Sequence, residues 1–346
     1  MPELVINGRF RLQKMTGIQR ASHAITALLC TPHVVIEPKS HHGGVSGHAW
    51  EQLVLPVRAR GRLIWSPGTT GPVMADSQIV TIHDVAVIDH PEWFSPNFVR
   101  LYRGLWPTLA KRAEQIVTVS EFSKRRISEV LNIPNSKIKV VCNGVGQSFK
   151  PASRAAIESA TASLGVANRP YFATLSTIEP RKNLKLVLRA WTKAKPYLPR
   201  DMVLLVIGGK GSKAIFGSSD MDDCVASEGV IFGGYVAEEM LPPLLSGAHG
   251  VLYPSIYEGF GLPVLEAMAC GVPAVTTHLT SLPEVGGDVA LYVDAEDPQD
   301  LANTLINLAS SEDLRRESSA RGLERAKLFT WDRAAASMDA IFARYL

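Results

Sequence analysis

The chain has 346 residues, 46% of them hydrophobic and 20% charged, a globular composition too long for one core of usual size, so two domains are expected. No apolar run reaches the ~20 residues a membrane-spanning helix needs, and the N-terminal MPELVINGRFRL lacks the apolar core of a signal peptide, which makes a soluble, cytoplasmic protein the expectation. The net charge is +3, yet residues 1–150 hold 18 Lys and Arg against 10 Asp and Glu, and the remainder 18 against 23; a basic first half favours an anionic substrate or the inner face of a cytoplasmic membrane as partner, and disfavours nucleic acid.

In chain order, Thr16-Gly17-Ile-Gln-Arg20 follows a strand and opens a helix. Gly17 there either lets a ligand approach the backbone or completes a turn, and Arg20 is a candidate ligand contact. Residues 37–62 show no assignable motif. Residues 78–82 read as a strand whose carboxyl end carries His83 and Asp84. His83 is placed to contact a ligand at the strand end, and Asp84 to orient a neighbour or close the turn. Trp93, Phe94, Phe98, Tyr102 and Trp106 then interleave with Arg100, Arg103, Lys111 and Arg112. Two readings stay open for them: a basic aromatic helix resting on an anionic membrane, or an ordinary helix with one buried and one solvated face.

Residues 115–119 and 137–141 continue the β-branched runs, and 143–153 (NGVGQSFKPAS) interrupt them with turn formers, as an interdomain linker would. Further runs fall at 171–175, 202–207, 250–253 and 273–276. Strands alternating with helices imply parallel sheets, here in two units, residues 1–148 and 149–330. Open parallel sheets bind ligands beyond the carboxyl ends of their strands, so the site is expected in a cleft between the units. The last helix, residues 331–346, carries an apolar stripe of Ala335, Met338, Ile341 and Phe342 that could be covered by crossing back onto the first unit. Cys30, Cys142, Cys224 and Cys270 lack metal or disulfide spacing and are expected to be reduced and mostly buried.

The most informative stretch runs from Tyr253 to Pro273, YPSIYEGFGLPVLEAMACGVP. Gly259 and Gly261, flanking Phe260, allow close backbone approach, and Leu262-Pro263 suits the first turn of a helix whose free N–H groups would face a diphosphate. Glu258 before the turn and Glu266 one turn into the helix can flank the same ligand, one accepting from sugar hydroxyls and the other from a ribose. Earlier, Glu179-Pro-Arg181-Lys182-Asn lies between a strand and a helix, where the two cations can neutralise charge building on a departing nucleotide diphosphate. Gly208-Gly-Lys-Gly lacks the full dinucleotide register, so NAD is disfavoured. Asp220-Met-Asp-Asp has the form of a D-x-D metal motif but follows no strand, and a solvated acidic face is the expectation; no metal is required if Arg181 and Lys182 do its electrostatic work.

These segments resemble glycosyltransferase family 4: the E-x7-E pair Glu258 and Glu266 with its surroundings over residues 233–293, the E-P-R-K-N segment, the H-D pair, and a G-I-x-R segment at Gly17. Ser176 departs from the glycine common there. The resemblance implies the GT-B fold, an α/β architecture of two Rossmann-like domains with parallel sheets facing across a cleft. It implies that Arg181 and Lys182 grip donor phosphates, that His83 hydrogen-bonds the transferred sugar or helps place the acceptor, and that Asp84 and Arg20 lie on the acceptor side. It also implies that residues 37–62 carry acceptor identity, that Tyr235 and Val236 border the nucleotide base unless they are core, and that configuration at the transferred carbon is retained. The style of the E-P-R-K-N and H-D segments resembles bacterial mannosyltransferases, which implies GDP-mannose as donor and a saccharide as acceptor, a polyprenyl-diphosphate-linked one among the expected forms, in polysaccharide or O-antigen synthesis. UDP-glucose or dTDP-rhamnose is the rival donor; an epimerase of the same fold or a non-catalytic nucleotide-sugar binder is the rival class. A two-carboxylate hydrolase is disfavoured, because Glu258 and Glu266 belong to one turn-and-helix unit with cations opposite.

Overall fold

The computed structural model describes residues 4–39, 44–176, 179–208 and 228–346. Residues 209–211 of the glycine loop, Asp220-Met-Asp-Asp and Cys224 lie outside them. The chain divides into two compact units, Met1–Gly144 with Phe329–Leu346, and Val145–Leu328.

Among the described residues, each unit holds one six-stranded parallel sheet. In the first unit the strands are β1 (Leu4–Asn7), β2 (His33–Ile36), β3 (Ile64–Ser66), β4 (Gln78–Thr81), β5 (Gln115–Thr118) and β6 (Ile138–Val140), in the order β2-β1-β3-β4-β5-β6. In the second they are β7 (Tyr171–Leu175), β8 (Val203–Ile207), β9 (Val230–Gly234), β10 (Val251–Tyr253), β11 (Ala274–Thr277) and β12 (Leu291–Val293), in the order β12-β11-β10-β7-β8-β9. The inner strands β1, β3, β4, β5, β7, β8, β10 and β11 are buried almost throughout because helices cover both faces of such a sheet, whereas the edge strands β2 and β9 are only partly buried.

Both orders reverse direction once. The chain leaves β1 toward β2 and returns to the far side of β1 with β3; it leaves β7 toward β8 and β9 and returns with β10. The ends of β1 and β3, and of β7 and β10, are the two switch points, the places where an open α/β sheet leaves a crevice.

In the second unit Phe172, Leu204, Val206, Leu252 and Val275 pack under the helices Leu184–Ala194 and Pro298–Ser310, with Trp191 fully buried. In the first, the helix Trp331–Phe342 lays Ala334, Ala335, Met338, Ile341 and Phe342 on Leu4, Ile6, Trp65, Ile79 and Val117. Asp339 fastens it by accepting from the Cys30 and Thr31 amides at 3.0 and 2.9 Å. Where the chain leaves and re-enters this unit the backbones touch: a Cβ on Gly144 would lie 2.2 Å from the Trp331 nitrogen and 2.3 Å from the Thr330 carbonyl carbon.

The helix Pro96–Arg112 answers the question of its aromatic residues in part. Val99, Tyr102, Trp106 and Leu109 are buried, and Phe94, Phe98, Tyr102 and Trp106 form a ladder of ring contacts along one side. Arg100, Arg103, Lys111 and Arg112 are exposed together with Phe98 and Leu101. The cysteines differ from expectation. Cys30 and Cys142 are exposed, because each follows the end of an element at the start of a loop, and Cys270 is buried behind the helix Leu262–Ala269. No helix among the described residues is long and apolar enough to cross a membrane.

Candidate functional site

The second unit's switch point gathers the charged residues of two segments. After β7, Pro180–Lys182 form a single 3-10 turn, and Asn183 takes the left-handed conformation at φ 56° before the helix Leu184–Ala194 begins. Asparagine tolerates that conformation better than most side chains, and its Nδ2 donates to the Ala295 carbonyl at 2.9 Å. The turn thereby presents Arg181 and Lys182 toward the end of β10.

There Glu258 binds both. Lys182 Nζ donates to Glu258 Oε1 at 2.6 Å, and Arg181 Nη1 reaches the two carboxylate oxygens at 3.4 and 3.3 Å. Tyr253 OH and Ser255 Oγ donate to Oε1 at 2.7 and 2.8 Å, and Lys182 also bonds the Tyr253 hydroxyl. Arg181 Nε is held by Glu179 at 2.8 Å. Burial alone would push the Glu258 carboxyl up, but the charges of Lys182 and Arg181 and the bonds from Lys182 and Tyr253 outweigh it and hold it at about 2. Burial draws the Lys182 ammonium below the ordinary lysine range, against the pull of Glu258, and pushes the Tyr253 phenol up.

Glu258 is thus a carboxylate that fixes two cations. Its Oε1 accepts from Lys182, Tyr253 and Ser255, and its Oε2 faces Arg181 Nη1 at 3.3 Å. Its ionised form stabilises the fold above the ordinary carboxylate value of 4.5, and that contribution disappears as pH falls from there toward about 2. Stability of the intact protein, followed by tryptophan fluorescence, should therefore fall less steeply with acid across this window in Glu258→Gln than in the parent. An equal slope would show that Glu258 does not carry the depressed titration.

The turn that follows is equally determined. Gly261 adopts φ 110° and caps the helix Leu262–Ala269, and a Cβ there would meet Leu282 Cδ2 at 2.9 Å. Ser281 Oγ donates to the carbonyls of Glu258 and Phe260 at 2.9 Å each, and Thr280 Oγ1 accepts from the Glu258 amide at 3.1 Å. Gly259, Phe260 and Leu262 are therefore held as one backbone arc running into a helix start. Glu266 sits in the fifth helical position, 3% exposed. Val236 is 8% exposed and packs with Tyr171, Val203 and Leu205, so its side chain is core, whereas Tyr235 is 74% exposed. Tyr253, Ser255, Thr280 and Ser281 were not singled out by the sequence motifs; the signal was available in Tyr253 and Ser255, which precede Glu258 at a strand end.

In the first unit, His83 lies just past β4, 7% exposed, with Nε2 3.1 Å from the Pro67 carbonyl. A carbonyl only accepts, so Nε2 carries the proton and Nδ1 is an acceptor when the ring is neutral. Burial lowers the imidazole pKa, with Pro67 and Asp84 opposing, which favours that neutral form. Asp84 closes its turn by accepting from the Ala86 amide at 3.0 Å. Gly17 is the first residue of the helix Gly17–Leu28, and Arg20 lies one turn on, its amide bonded to the Thr16 carbonyl at 2.9 Å. His83, Asp84, Gly17 and Arg20 belong to the first unit, and Glu179, Arg181, Lys182, Glu258 and Glu266 to the second.

Two parallel units of this topology are the GT-B glycosyltransferase architecture. The chain superposes on HepE from Anabaena, solved with UDP and glucose, with a TM-score of 0.76 at 18% identity, covering 99% of this chain and 100% of that one. It superposes on WaaG, a glycosyltransferase involved in lipopolysaccharide biosynthesis, with a TM-score of 0.74 at 14% identity, covering 98% and 99%. In sequence it matches the family model Glycosyl transferases group 1 over residues 157–325 and Glycosyltransferase Family 4 over residues 65–148. It is 33% identical to O-antigen chain mannosyltransferase B of Escherichia coli over 75% of this chain and 68% of that protein. It is 28% identical to the serotype-specific mannosyltransferase WbdA of Escherichia coli over 73% of this chain, spanning 32% of WbdA. The chain belongs to the group 1 glycosyltransferases.

Proposed function

We propose that the protein transfers mannose from GDP-mannose, with retention of configuration, to a hydroxyl of a saccharide in bacterial polysaccharide or O-antigen synthesis. The observation that carries the donor half is the clamp at the second switch point: two cations, fixed by Glu258, beside a helix start. A nucleotide diphosphate is a good leaving group once its charge is met, and preset cations meet it without rearrangement during the reaction. The bond from the sugar carbon to the phosphate oxygen breaks, the acceptor oxygen bonds to the same face of that carbon, and its proton passes to the departing phosphate. Glu258, held ionised, is unsuited to act as general acid, which agrees with a leaving group that needs none. Neutral His83 accepts a hydrogen bond from a sugar hydroxyl. Mannose is supported by the relatives named for mannosyl transfer, one of which matches over 75% of this chain.

The acceptor is proposed to be polyprenyl-diphosphate-linked and met at the inner face of the cytoplasmic membrane. The exposed Arg100, Arg103, Lys111 and Arg112, with Phe98 and Leu101 among them, form a face of the composition that anionic lipid attracts. No metal is required in this scheme, so turnover should persist in excess chelator.

Calorimetric titration with GDP, UDP, dTDP and ADP tests the donor. GDP is expected to bind selectively, and Arg181→Ala to weaken it at least about 10-fold, the effect of losing a charge-assisted bond to phosphate. Preference for UDP or dTDP would keep the chemistry and overturn mannose; absence of binding by all four would overturn the donor site.

A further inference from the structure

A lysine ammonium carries three N–H groups and no acceptor, so every hydrogen bond of Lys182 is one that it donates. Among the described residues it makes two, to Glu258 Oε1 at 2.6 Å and to the Tyr253 hydroxyl. The Tyr253 oxygen therefore accepts from Lys182, which leaves its single proton for another oxygen, and Glu258 Oε1 lies 2.7 Å away to take it. The three groups close a ring in which each bond has a fixed sense: ammonium to carboxylate, ammonium to phenol, phenol to carboxylate.

Tyr253 ends β10 and is 2% exposed, and the side chains of Lys182 and Glu258 are 12% and 9% exposed. Burial pushes the phenol up, and the charge of Glu258 pushes the same way against that of Arg181, so the phenol keeps the proton that the ring requires. The charged groups around it are Glu258, Arg181, Glu179 and Lys182 itself. The main chain of the two segments is joined without the phenol. The Ile256 amide donates to the Arg181 carbonyl at 2.9 Å, and Thr276 Oγ1 donates to the Tyr253 carbonyl at 2.9 Å. Deleting the Tyr253 hydroxyl therefore leaves the backbone that carries Lys182 in place and removes one of the two bonds that orient its ammonium. Held by one bond, an ammonium pivots about it; held by two, its tetrahedral shape fixes the direction of the third N–H.

We propose that Tyr253 is a positioning residue of the clamp: by accepting one N–H of Lys182 while donating to Glu258, its hydroxyl aims the remaining N–H at the diphosphate of the donor. What that N–H meets rests on the transfer reaction proposed above; the ring itself does not. Tyr253 touches neither sugar nor phosphate in this scheme and acts only through Lys182. Because a diphosphate is common to all nucleotide-diphosphate sugars, the effect of Tyr253 is independent of the base and is the same for a nucleotide and for pyrophosphate alone.

The variant Tyr253→Phe, made in the whole chain, keeps the buried ring and deletes the hydroxyl. In protein labelled with 15N-lysine, the Lys182 ammonium signal is assigned by its loss in Lys182→Ala. Its NMR order parameter without ligand should be about 0.8 or higher in the parent and below about 0.6 in Tyr253→Phe, the ranges of rigid and flexible groups. Inorganic pyrophosphate should move this signal in the parent. The Kd of pyrophosphate, and that of GDP, should each rise about 5-fold in Tyr253→Phe, the entropy of fixing one side chain on binding. Equal order parameters in the two proteins would overturn the proposal, and so would a loosened ammonium with both affinities unchanged. If Tyr253→Phe does not fold, the parent decides: a flexible ammonium, or one that pyrophosphate does not move, overturns the proposal, and a rigid one that it moves supports it. GDP failing to bind while pyrophosphate behaves as expected would count against GDP-mannose as donor and leave the role of Tyr253 standing.

Discussion

Lys182→Ala is expected to slow transfer about 100-fold or more, the usual consequence of deleting one preset electrostatic stabiliser. Its side chain is 12% exposed and its ammonium lies 2.6 Å from Glu258, so in the proposed reaction it would meet developing phosphate charge from a site with little water to screen it. Glu258→Ala should slow the reaction by a similar factor for a different reason: Lys182 and Arg181 would lose the carboxylate that aims them. The two changes should not add, because cation and anchor act as a unit. Initial rates for both single variants and the double variant, with folding checked by circular dichroism, make the measurement. Near-normal turnover in both single variants would remove the clamp from the mechanism.

Gly144→Ala is expected to destabilise the protein by about 3 kcal/mol or more, at the upper end of overpacking effects. The atoms that the new methyl would strike, the Trp331 nitrogen and the Thr330 carbonyl carbon, belong to backbone and cannot rotate away. Trp331 starts the helix that seals the first unit's core, so the strain should appear as a lowered Tm and as exposure of tryptophan, with nucleotide affinity of the folded fraction unchanged. A Tm within a degree or two of the parent's would show that the two backbone segments separate freely.

Much of the candidate site in the second unit was legible in the sequence because its parts are local. Glu258, Gly261 and the helix Leu262–Ala269 occupy one continuous segment, and the turn around Arg181 and Lys182 another, each with its own strand end and helix start. What the motifs did not show was that the two segments bond each other, and that Glu258 spends one oxygen on Lys182, Tyr253 and Ser255. The short strands β1, β2, β3 and β12 carried weak signals, since three or four apolar residues fit a buried helix turn as well as a strand. The buried bonds of Arg9 to Glu51 and Thr70 were illegible for a stronger reason: they join positions 42 and 61 residues apart, and the helix Gly44–Leu53 that carries Glu51 contains two glycines and a serine where helix formers would advertise a helix. Val236 followed a glycine pair near a strand end, the place of a base contact, but the unit's own core claimed it.

The helix Trp331–Phe342 comes after the whole second unit in the chain, yet completes the first. During synthesis, therefore, Val145–Leu328 can emerge and fold while the first sheet still waits with Leu4, Trp65 and Val117 uncovered on one face. The N-terminal half of the polypeptide is finished last, and its apolar face is what a chaperone would meet. A stop codon just before Trp331 would spare every residue of the donor clamp and still leave the earlier-made unit without its lid.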